Sequence, residues 1–426
     1  FIQNSRGTFD LSSQPAFSKD SAFASAGAIF FDADQDGDMD LYLASSGYDL
    51  NANSPYLEDR LYINDGRGNF TLSTNPLPSM AFSKSCVQAA DIDGDGDMDL
   101  FIGGRVIPGK YPLSPGSRIL LNDGKGIFTD ATSSIAAPLL KTGMVTSAAW
   151  VDVNGDKQPD LVVVGEYMPV TVFINNKGKL TDESAKYIPF ESSGWWNTIY
   201  AADMDGDGDQ DLVIGNMGQN TQFHASEKEP VSLYYKDFDG NGSIDPIFCY
   251  YIDGKSYPAI SRDDLTDQIP FLKKKFLKYS DYSTATINDL FTPEQLKDAG
   301  ILKAVEMRSV YLENKENKSF VLHVLPIEAQ FAPFYAITST DINGDGKKDL
   351  ILAGNNAWTR IRYGRYEASH GTLLAGDGKG NFKFIPPVTS GITVRGDVRS
   401  IEYISPYLFF GVNNQVAKVF RLKNKN

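Results

Sequence analysis

One nine-residue rule is repeated six times in this chain, and it limits what the chain can fold into. In its fullest form, DIDGDGDMD from Asp91 to Asp99, an aspartate stands at every second position. Five carboxylates in so short a loop repel one another at close range, so the loop calls for a hard cation. Asp91, Asp93 and Asp95 can turn oxygens inward, Asp97 can offer its main-chain carbonyl, and Asp99 can close the shell with two oxygens. Such an all-oxygen set suits Ca2+. Gly96 lets the chain bend around the ion. A helix–loop–helix calcium site would need Glu at position twelve and flanking helices. Here VQAA precedes and LFIGG follows, which are strand-type runs.

The other copies read Asp32, Asp34, Asp36, Asp38, Asp40; Asp152, Asn154, Asp156, Gln158, Asp160; and Asp203, Asp205, Asp207, Asp209, Asp211. Two more read Asp237, Asp239, Asn241, Ser243, Asp245 and Asp341, Asn343, Asp345, Lys347, Asp349. Up to six Ca2+ are therefore expected. Gln158, Ser243 and Lys347 fall at the main-chain carbonyl position, where the side chain matters little. The fifth loop departs most, with Asn241 in place of a carboxylate and Pro246 following.

Several copies are followed by a second signature, as in RLYINDGRGNF, ILLNDGKGIF, VFINNKGKL and LLAGDGKGNF. Asn-Asp-Gly and Gly-Asp-Gly between strands are hairpin turns, because these residues tolerate positive φ. One repeat is then strand, aspartate loop, strand, longer loop, strand, hairpin and strand, which describes a propeller blade. The expected architecture is all-β: a single seven-bladed β-propeller over residues 1–426, with eight blades as the alternative.

Successive loops start 59, 61, 51, 34 and 104 residues apart. The 34-residue gap predicts an incomplete blade or one that borrows a strand. The 104-residue gap predicts a helical insertion over 258–302, with N-caps at Ser261 and Thr292, Pro293 in the first turn and Gly300 as C-cap. EMRSVYLEN and SFVLHVL then resume the interrupted blade. A last repeat, VRSIEYISPYLFFG, has Ser405 and Pro406 where carboxylates would stand, so it has lost its metal. FIQNSRGTF at the start matches the second half of a blade, and closure of the ring through it is expected.

The formal charge of -14 argues against nucleic acid, and much of it is ligand: the six loops hold 24 of the 54 acidic residues. Cys86 and Cys249 lie in apolar strand contexts in separate repeats, where buried free thiols are expected. No run reaches the ~18 apolar residues of a membrane span. A chain starting at Phe1 without a signal-like segment is expected to be processed or cut from a longer one.

Repeated DxDxDGxxD loops between strands, each followed by an apolar stretch ending in Gly, resemble the FG-GAP repeats of the integrin α-subunit propeller and the related bacterial VCBS repeats. In texture the chain is similar to large VCBS/FG-GAP proteins of Bacteroidetes-type bacteria, often found with an ASPIC/UnbV domain; LTDQIPFLKKKFLKYSDY and EAQFAPFYAI carry that likeness. The resemblance implies export, with a place at the cell surface or outer membrane, as part of a longer multidomain chain or surface complex. It also implies that calcium loops occupy one rim and partners the opposite face.

On that opposite face the sequence places Trp195 and Trp196, before the first strand of the fourth-loop repeat. The segments after second strands, opening at Arg105, Glu166, Asn216 and Asn355, belong there too. So does NNAWTRIRYGRYEASHG, with Trp358, Arg360, Tyr363 and His370. Aromatic rings with Arg, Glu and Asn suit a glycan or protein ligand, and packing between blades is the competing reading. GRVIPGKY contains GxxxxGK but lacks the following Ser/Thr and cannot open a helix, so nucleotide binding is not expected. The expectation is a non-enzymatic adhesion or recognition module. The alternatives are a polysaccharide lyase or hydrolase using Tyr363, Arg365 and His370, and a purely architectural module. Fold alone does not choose between them.

Overall fold

A computed structural model describes residues 2–3, 9–10, 12–74 and 76–422, with backbone only for residues 2–3 and 9–10. The chain divides into two compact units. The first comprises Phe1–Trp150, Gln158–Leu161 and Phe173–Asp182, and the second Val151–Lys157, Val162–Val172 and Glu183–Asn426.

In the first unit, alternation of apolar and polar residues around each aspartate loop gives antiparallel meanders. The first-loop sheet runs Ala24–Phe31, Asp40–Ser46, Arg60–Asn64, Phe70–Leu72. The second-loop sheet runs Ser83–Ala90, Asp99–Val106, Arg118–Leu121, Thr129–Asp130. The residue before each loop pairs with its last aspartate, Phe31 with Asp40 and Ala90 with Asp99, so every loop is the tip of a hairpin in fixed register. A core including Tyr42, Leu61, Val87, Leu100, Ile102 and Phe128 fills between these sheets. The third-loop strands fall partly in each unit; Thr171–Asn176 pairs with Lys179–Asp182 around the turn at Lys177 and Gly178.

The second unit holds the fourth-loop sheet, the sixth-loop sheet (Phe334–Thr340, Asp349–Gly354, Thr372–Gly376, Phe382–Ile385) and a three-stranded final sheet (Val398–Ile404, Tyr407–Val412, Lys418–Arg421). The last sheet turns at Ser405 and Pro406 between the paired residues Ile404 and Tyr407, without carboxylates. At the chain start, Ile2 and Gln3 pair with Asp10 and Phe9, and the rest of the expected ring-closing segment lies outside the described residues.

The fourth-loop sheet borrows strands, as the 34-residue gap predicts, but takes them from the segment expected to complete the fifth repeat. Its first two strands, Thr198–Ala202 and Asp211–Gly215, are completed by Val310–Lys315 and Ser319–Val324, with Leu212 opposite Leu312. The sheet thus takes two strands from beyond residue 309. EMRSVYLEN and SFVLHVL resume this fourth repeat and not the fifth. The fifth-loop strands, Val231–Lys236 and Asp245–Ile252, form a separate sheet with Lys255–Pro258 and Gly300–Ala304, inserted whole into the fourth. The first strand of the sixth-loop sheet lies directly beside the first two of the fourth, so the inserted sheet does not stand between them. The expected seven blades had counted the fifth-loop sheet as one of the ring.

Five short helices between Arg262 and Leu296 cover one face of the inserted sheet. Ile247 and Cys249, alternate residues of one strand, pack there against Leu265, Ile269, Leu272, Phe276, Ile287 and Leu290. Ser261 accepts from the Asp264 N–H, and Thr292 and Gln295 cap each other with Pro293 in the first turn. Gly300 has a different task from the C-cap expected of it. It opens a strand opposite Tyr235, whose ring lies where a Cβ would be, so a side chain there would collide. Phe248, on the other face of the sheet, packs with Trp195 and Phe223 at ring distances of 5.3 and 4.9 Å. Cys86 and Cys249 are free, and burial pushes both thiols up to about 12. Beyond Val106, residues 107–117 form turns and irregular chain, with no helix after GRVIPGKY.

Candidate metal loops and the opposite strand ends

The aspartate loops share one internal wiring, in which the first aspartate shapes the bend. Asp91 accepts from the N–H groups of Gly94 (2.8 Å) and Gly96 (3.2 Å), and Asp237 and Asp341 do the same with Gly240 and Gly242, and Gly344 and Gly346. Gly96 sits at φ +95°, where only glycine is at ease.

The last aspartate is buried in every loop. One of its oxygens accepts from the N–H of the loop's second residue: Ala33 to Asp40 (2.9 Å), Ile92 to Asp99 (3.0 Å), Met204 to Asp211 (2.9 Å) and Ile342 to Asp349 (2.9 Å). The other oxygen accepts from the end of the third strand: Asn64 to Asp40, Asn122 to Asp99, Asn314 to Asp211 and Gly376 to Asp349. The closing carboxylate therefore staples loop to sheet. In the fifth loop the strand N–H is replaced by the Gln268 side chain of the helical layer, 3.3 Å from Asp245.

Ligand oxygens converge in four loops. Asp32, Asp34 and Asp36; Asp91, Asp93 and Asp99; Asp203, Asp205 and Asp211; and Asp237, Asp239 and Asp245 each bring carboxylate oxygens within 4.8 Å of one another, and each group could hold a metal ion. The fifth loop, the most divergent in sequence, is among them. The sixth keeps the same turn through Asp341 and Asn343, whose amide oxygen replaces a carboxylate. The third-loop residues are divided between the units: Asp152 and Asn154 accept from the Asp156 N–H in one, and Asp160 from the Asn175 N–H in the other.

The donor set fits a hard cation on a second ground. One oxygen each of Asp32, Asp34, Asp38, Asp97 and Asp209 is enclosed without a hydrogen-bond partner, an arrangement that costs free energy unless a cation fills it. Asp38, Asp97 and Asp209 stand at the seventh position, so in these loops the side chain is more than a spectator to the main-chain carbonyl. Burial, reinforced by Asp95 and Asp93, pushes Asp97 up to about 6. Burial pushes Asp99 up to about 7 against the N–H groups of Asn122 and Ile92. Asp209 and Asp211 are likewise pushed up, to about 7 and about 6.

Sequence reasoning missed a set of asparagines. Asn122 donates its side-chain amide to the carbonyl of Ala33 (2.9 Å), Asn175 to Ile92 (2.8 Å) and Asn314 to Val153 (3.2 Å). Each ties the third strand of one repeat to the loop of the repeat before it. The signal was present, since every one of them opens a hairpin turn: NDGKG, NNKGK and NKENK.

The expected ligand residues meet different fates. Trp196 is 1% exposed, its indole N–H donating to the Ser192 carbonyl. Asn216 and Asn355 are buried ties, to the Glu306 carbonyl and to those of Ser369 and Gly396. Trp195 is partly covered, among Tyr167, Phe223 and Phe248. Arg105, in the first unit, and Glu166, in the second, are partly buried. Trp358, Arg360 and His370 are exposed. Tyr363 donates to the Ala259 carbonyl and packs on Phe223 at 5.2 Å.

Two segments, residues 32–102 and 152–214, match the FG-GAP-like repeat, so the chain carries FG-GAP-like repeats across its first four aspartate loops. No curated protein matches the chain. Among solved structures, the crystal structure of the V. cholerae biofilm matrix protein Bap1 aligns over 93% of this chain and 77% of that one, at 12% identity and a TM-score of 0.34, a likeness too loose to build on.

Proposed function

We propose that the chain is a non-enzymatic, calcium-stabilised recognition module that works outside the cell, binding a glycan or protein at the strand ends away from its aspartate loops. The observation that carries this reading is the segment after the second strand of the sixth-loop sheet. Its base is pinned: Asn356 and Tyr366 exchange backbone hydrogen bonds, Arg362 and Arg360 reach Asp264, and Tyr363 holds Ala259. The same segment nevertheless leaves Trp358 79% and Ile361 100% exposed, with Arg360 and Arg362 flanking Ile361 in the chain. Large apolar side chains on a braced loop, with arginine beside them, are what a binding hot spot requires.

In this reading the meanders are blades of a propeller, and the fifth-loop sheet with its helices is a satellite on the fourth-loop blade. Calcium is the cation that an all-oxygen set of this kind takes, and the ions brace hairpins without acting on a ligand. No helix among the described residues is long and apolar enough to cross a membrane. The enzymatic alternative is disfavoured by the pairing of its candidate groups: Tyr363 is spent on Ala259, and Arg365 faces Glu367 at 3.7 Å.

The test is a glycan array, together with capture of surface proteins from intact cells, comparing the wild type with the double variant Trp358→Ala, Ile361→Ala. Both residues are exposed, so folding should be untouched while binding falls at least tenfold. Unchanged binding would remove this site. Turnover of any polysaccharide that is lost in His370→Ala would replace the recognition reading with the enzymatic one.

A further inference from the structure

The inserted sheet carries a cleft that the recognition loop does not use. It has a volume of ≈ 480 Å³ and opens where the hairpin between Asp245–Ile252 and Lys255–Pro258 meets the end of the helix Tyr279–Tyr282. That volume is of the size that holds small ligands. Three tyrosines line it. Tyr250 and Tyr257 are a directly opposed cross-strand pair, and Tyr282 comes from the helical layer. All three are partly exposed.

Two of the tyrosines are held by neighbours. Tyr250 stands edge-on to Phe223 at 5.2 Å, and Tyr282 stands edge-on to Phe276 at 5.5 Å while donating its hydroxyl to the Ile260 carbonyl at 2.8 Å. Fixed rings lose little freedom when a ligand settles on them. The polar lining is Asp253, Lys255 and Ser283, one carboxylate, one ammonium and one hydroxyl, with no excess of either charge.

We propose that this cleft binds one or two residues of a neutral oligosaccharide. A pyranose ring has an apolar C–H face and a rim of hydroxyls, and it needs flat apolar walls with donors and acceptors of both kinds at their edges. Tyrosine supplies a flat face and a hydroxyl at once, Asp253 accepts, Lys255 donates, and Ser283, whose hydroxyl donates to the Ser280 carbonyl, is left to accept. A purely apolar ligand would leave those groups stripped of water, and an anionic sugar would meet Asp253 without a surplus of positive charge to offset it. No residue of the Trp358 loop lines the cleft, although Tyr363 of that loop packs on the same Phe223 ring as Tyr250, and the proposal does not depend on what that loop binds.

The test is isothermal titration of the full chain with maltotriose, cellotriose, mannotriose and galactotriose, and with a trimer of a uronic acid as the anionic arm. The expected result is saturable binding of at least one neutral trisaccharide. It should be lost tenfold or more in Tyr257→Ala, largely kept in Tyr257→Phe, and blocked in Ser283→Trp, which fills the cleft from an exposed position without touching the core. The variant Trp358→Ala, Ile361→Ala should bind the same sugar unchanged. Absence of binding by all four neutral sugars, binding indifferent to Ser283→Trp, or preference for the uronic acid would each overturn the proposal.

Discussion

Asn175 donates its side-chain amide to the carbonyl of Ile92, 83 residues earlier, across 2.8 Å. Both residues are buried, so neither group can turn to water if the other is removed. The closing carboxylate Asp160 meanwhile holds the Asn175 N–H. One asparagine thus reads the closing aspartate of its own repeat and the loop of the repeat before it. Asn175→Ala should destabilise the protein by about 1–3 kcal/mol, the usual penalty for orphaning a buried partner. Asn122→Ala, which frees the Ala33 carbonyl, should behave alike. Urea unfolding checks this, and a loss below about 0.5 kcal/mol for both variants would mean that the clasp contributes nothing beyond an ordinary surface contact.

A second test concerns Lys84 and Asp59, which meet at 3.0 Å with both side chains closed to solvent. Lys84 also donates to the carbonyls of Leu57 and Met80, and Asp59 accepts from the Ser45 N–H and the Tyr42 hydroxyl. Every donor and acceptor is matched, so removing one partner strands the other's charge. Lys84→Met should cost about 3–5 kcal/mol. Adding Asp59→Asn removes the stranded charge, keeps one oxygen for the Ser45 N–H and turns its NH2 to the Tyr42 hydroxyl, which can accept, so the double variant should be more stable than the single one. Denaturant midpoints decide, and a double variant less stable than Lys84→Met would show that the pair is not what holds this corner.

Much of this architecture was legible because its signals are local. A loop of alternating aspartates between apolar runs fixes a hairpin, and Asn-Asp-Gly fixes another, whatever surrounds them. Helix caps such as Ser261 and Thr292 follow from side-chain chemistry over three residues. What escaped the sequence was non-local. Nothing near Asp211 says that its third strand begins at Val310, because that pairing rests on Asn314 and Tyr311 reaching Asp211 from about 100 residues away. Trp196 and Asn216 looked like ligand residues for a related reason. A polar or aromatic side chain at a strand end has the same spelling whether it faces solvent or ties down a returning segment, and here Glu306 returns beside them.

The raised carboxyls of the loops set a pH dependence that calcium should reverse. In the chelated protein, Asp97, Asp99, Asp209 and Asp211 stay protonated to about pH 6 or 7, mainly because they are buried. A carboxyl whose folded pKa is raised contributes stability that is full below its unfolded value and is lost as pH rises through the folded one. In chelator, the melting temperature should therefore fall between about pH 5 and about pH 7.5. With calcium present the ion replaces the protons, so the fall should vanish and the gain from calcium should be largest at the higher pH. Differential scanning fluorimetry at the two pH values, with calcium or with EGTA, tests both halves. A chelated protein that becomes more stable as pH rises, or a gain from calcium that does not grow, would contradict the metal assignment.

The fifth loop differs from the others in what it holds. Asp245 is stapled by Gln268 of the helical layer, and Phe238, the second residue of the loop, stacks on Phe291 with ring centres 4.1 Å apart. Gathering Asp237, Asp239 and Asp245 around an ion should thus fix the helices as well as the hairpin. Hydrogen exchange over residues 262–296 should speed up on the order of tenfold when calcium is removed, a local opening in a unit of modest stability. The double variant Asp237→Asn, Asp239→Asn should reproduce that change with calcium present while leaving the strands Ala24–Phe31 and Asp40–Ser46 protected. Phe291→Ala gives the control, loosening the same helices irrespective of calcium. If exchange in the helical layer is the same with and without calcium, and the double variant leaves it unchanged, the fifth loop braces its hairpin alone and the helices stand on the packing of Ile247 and Cys249.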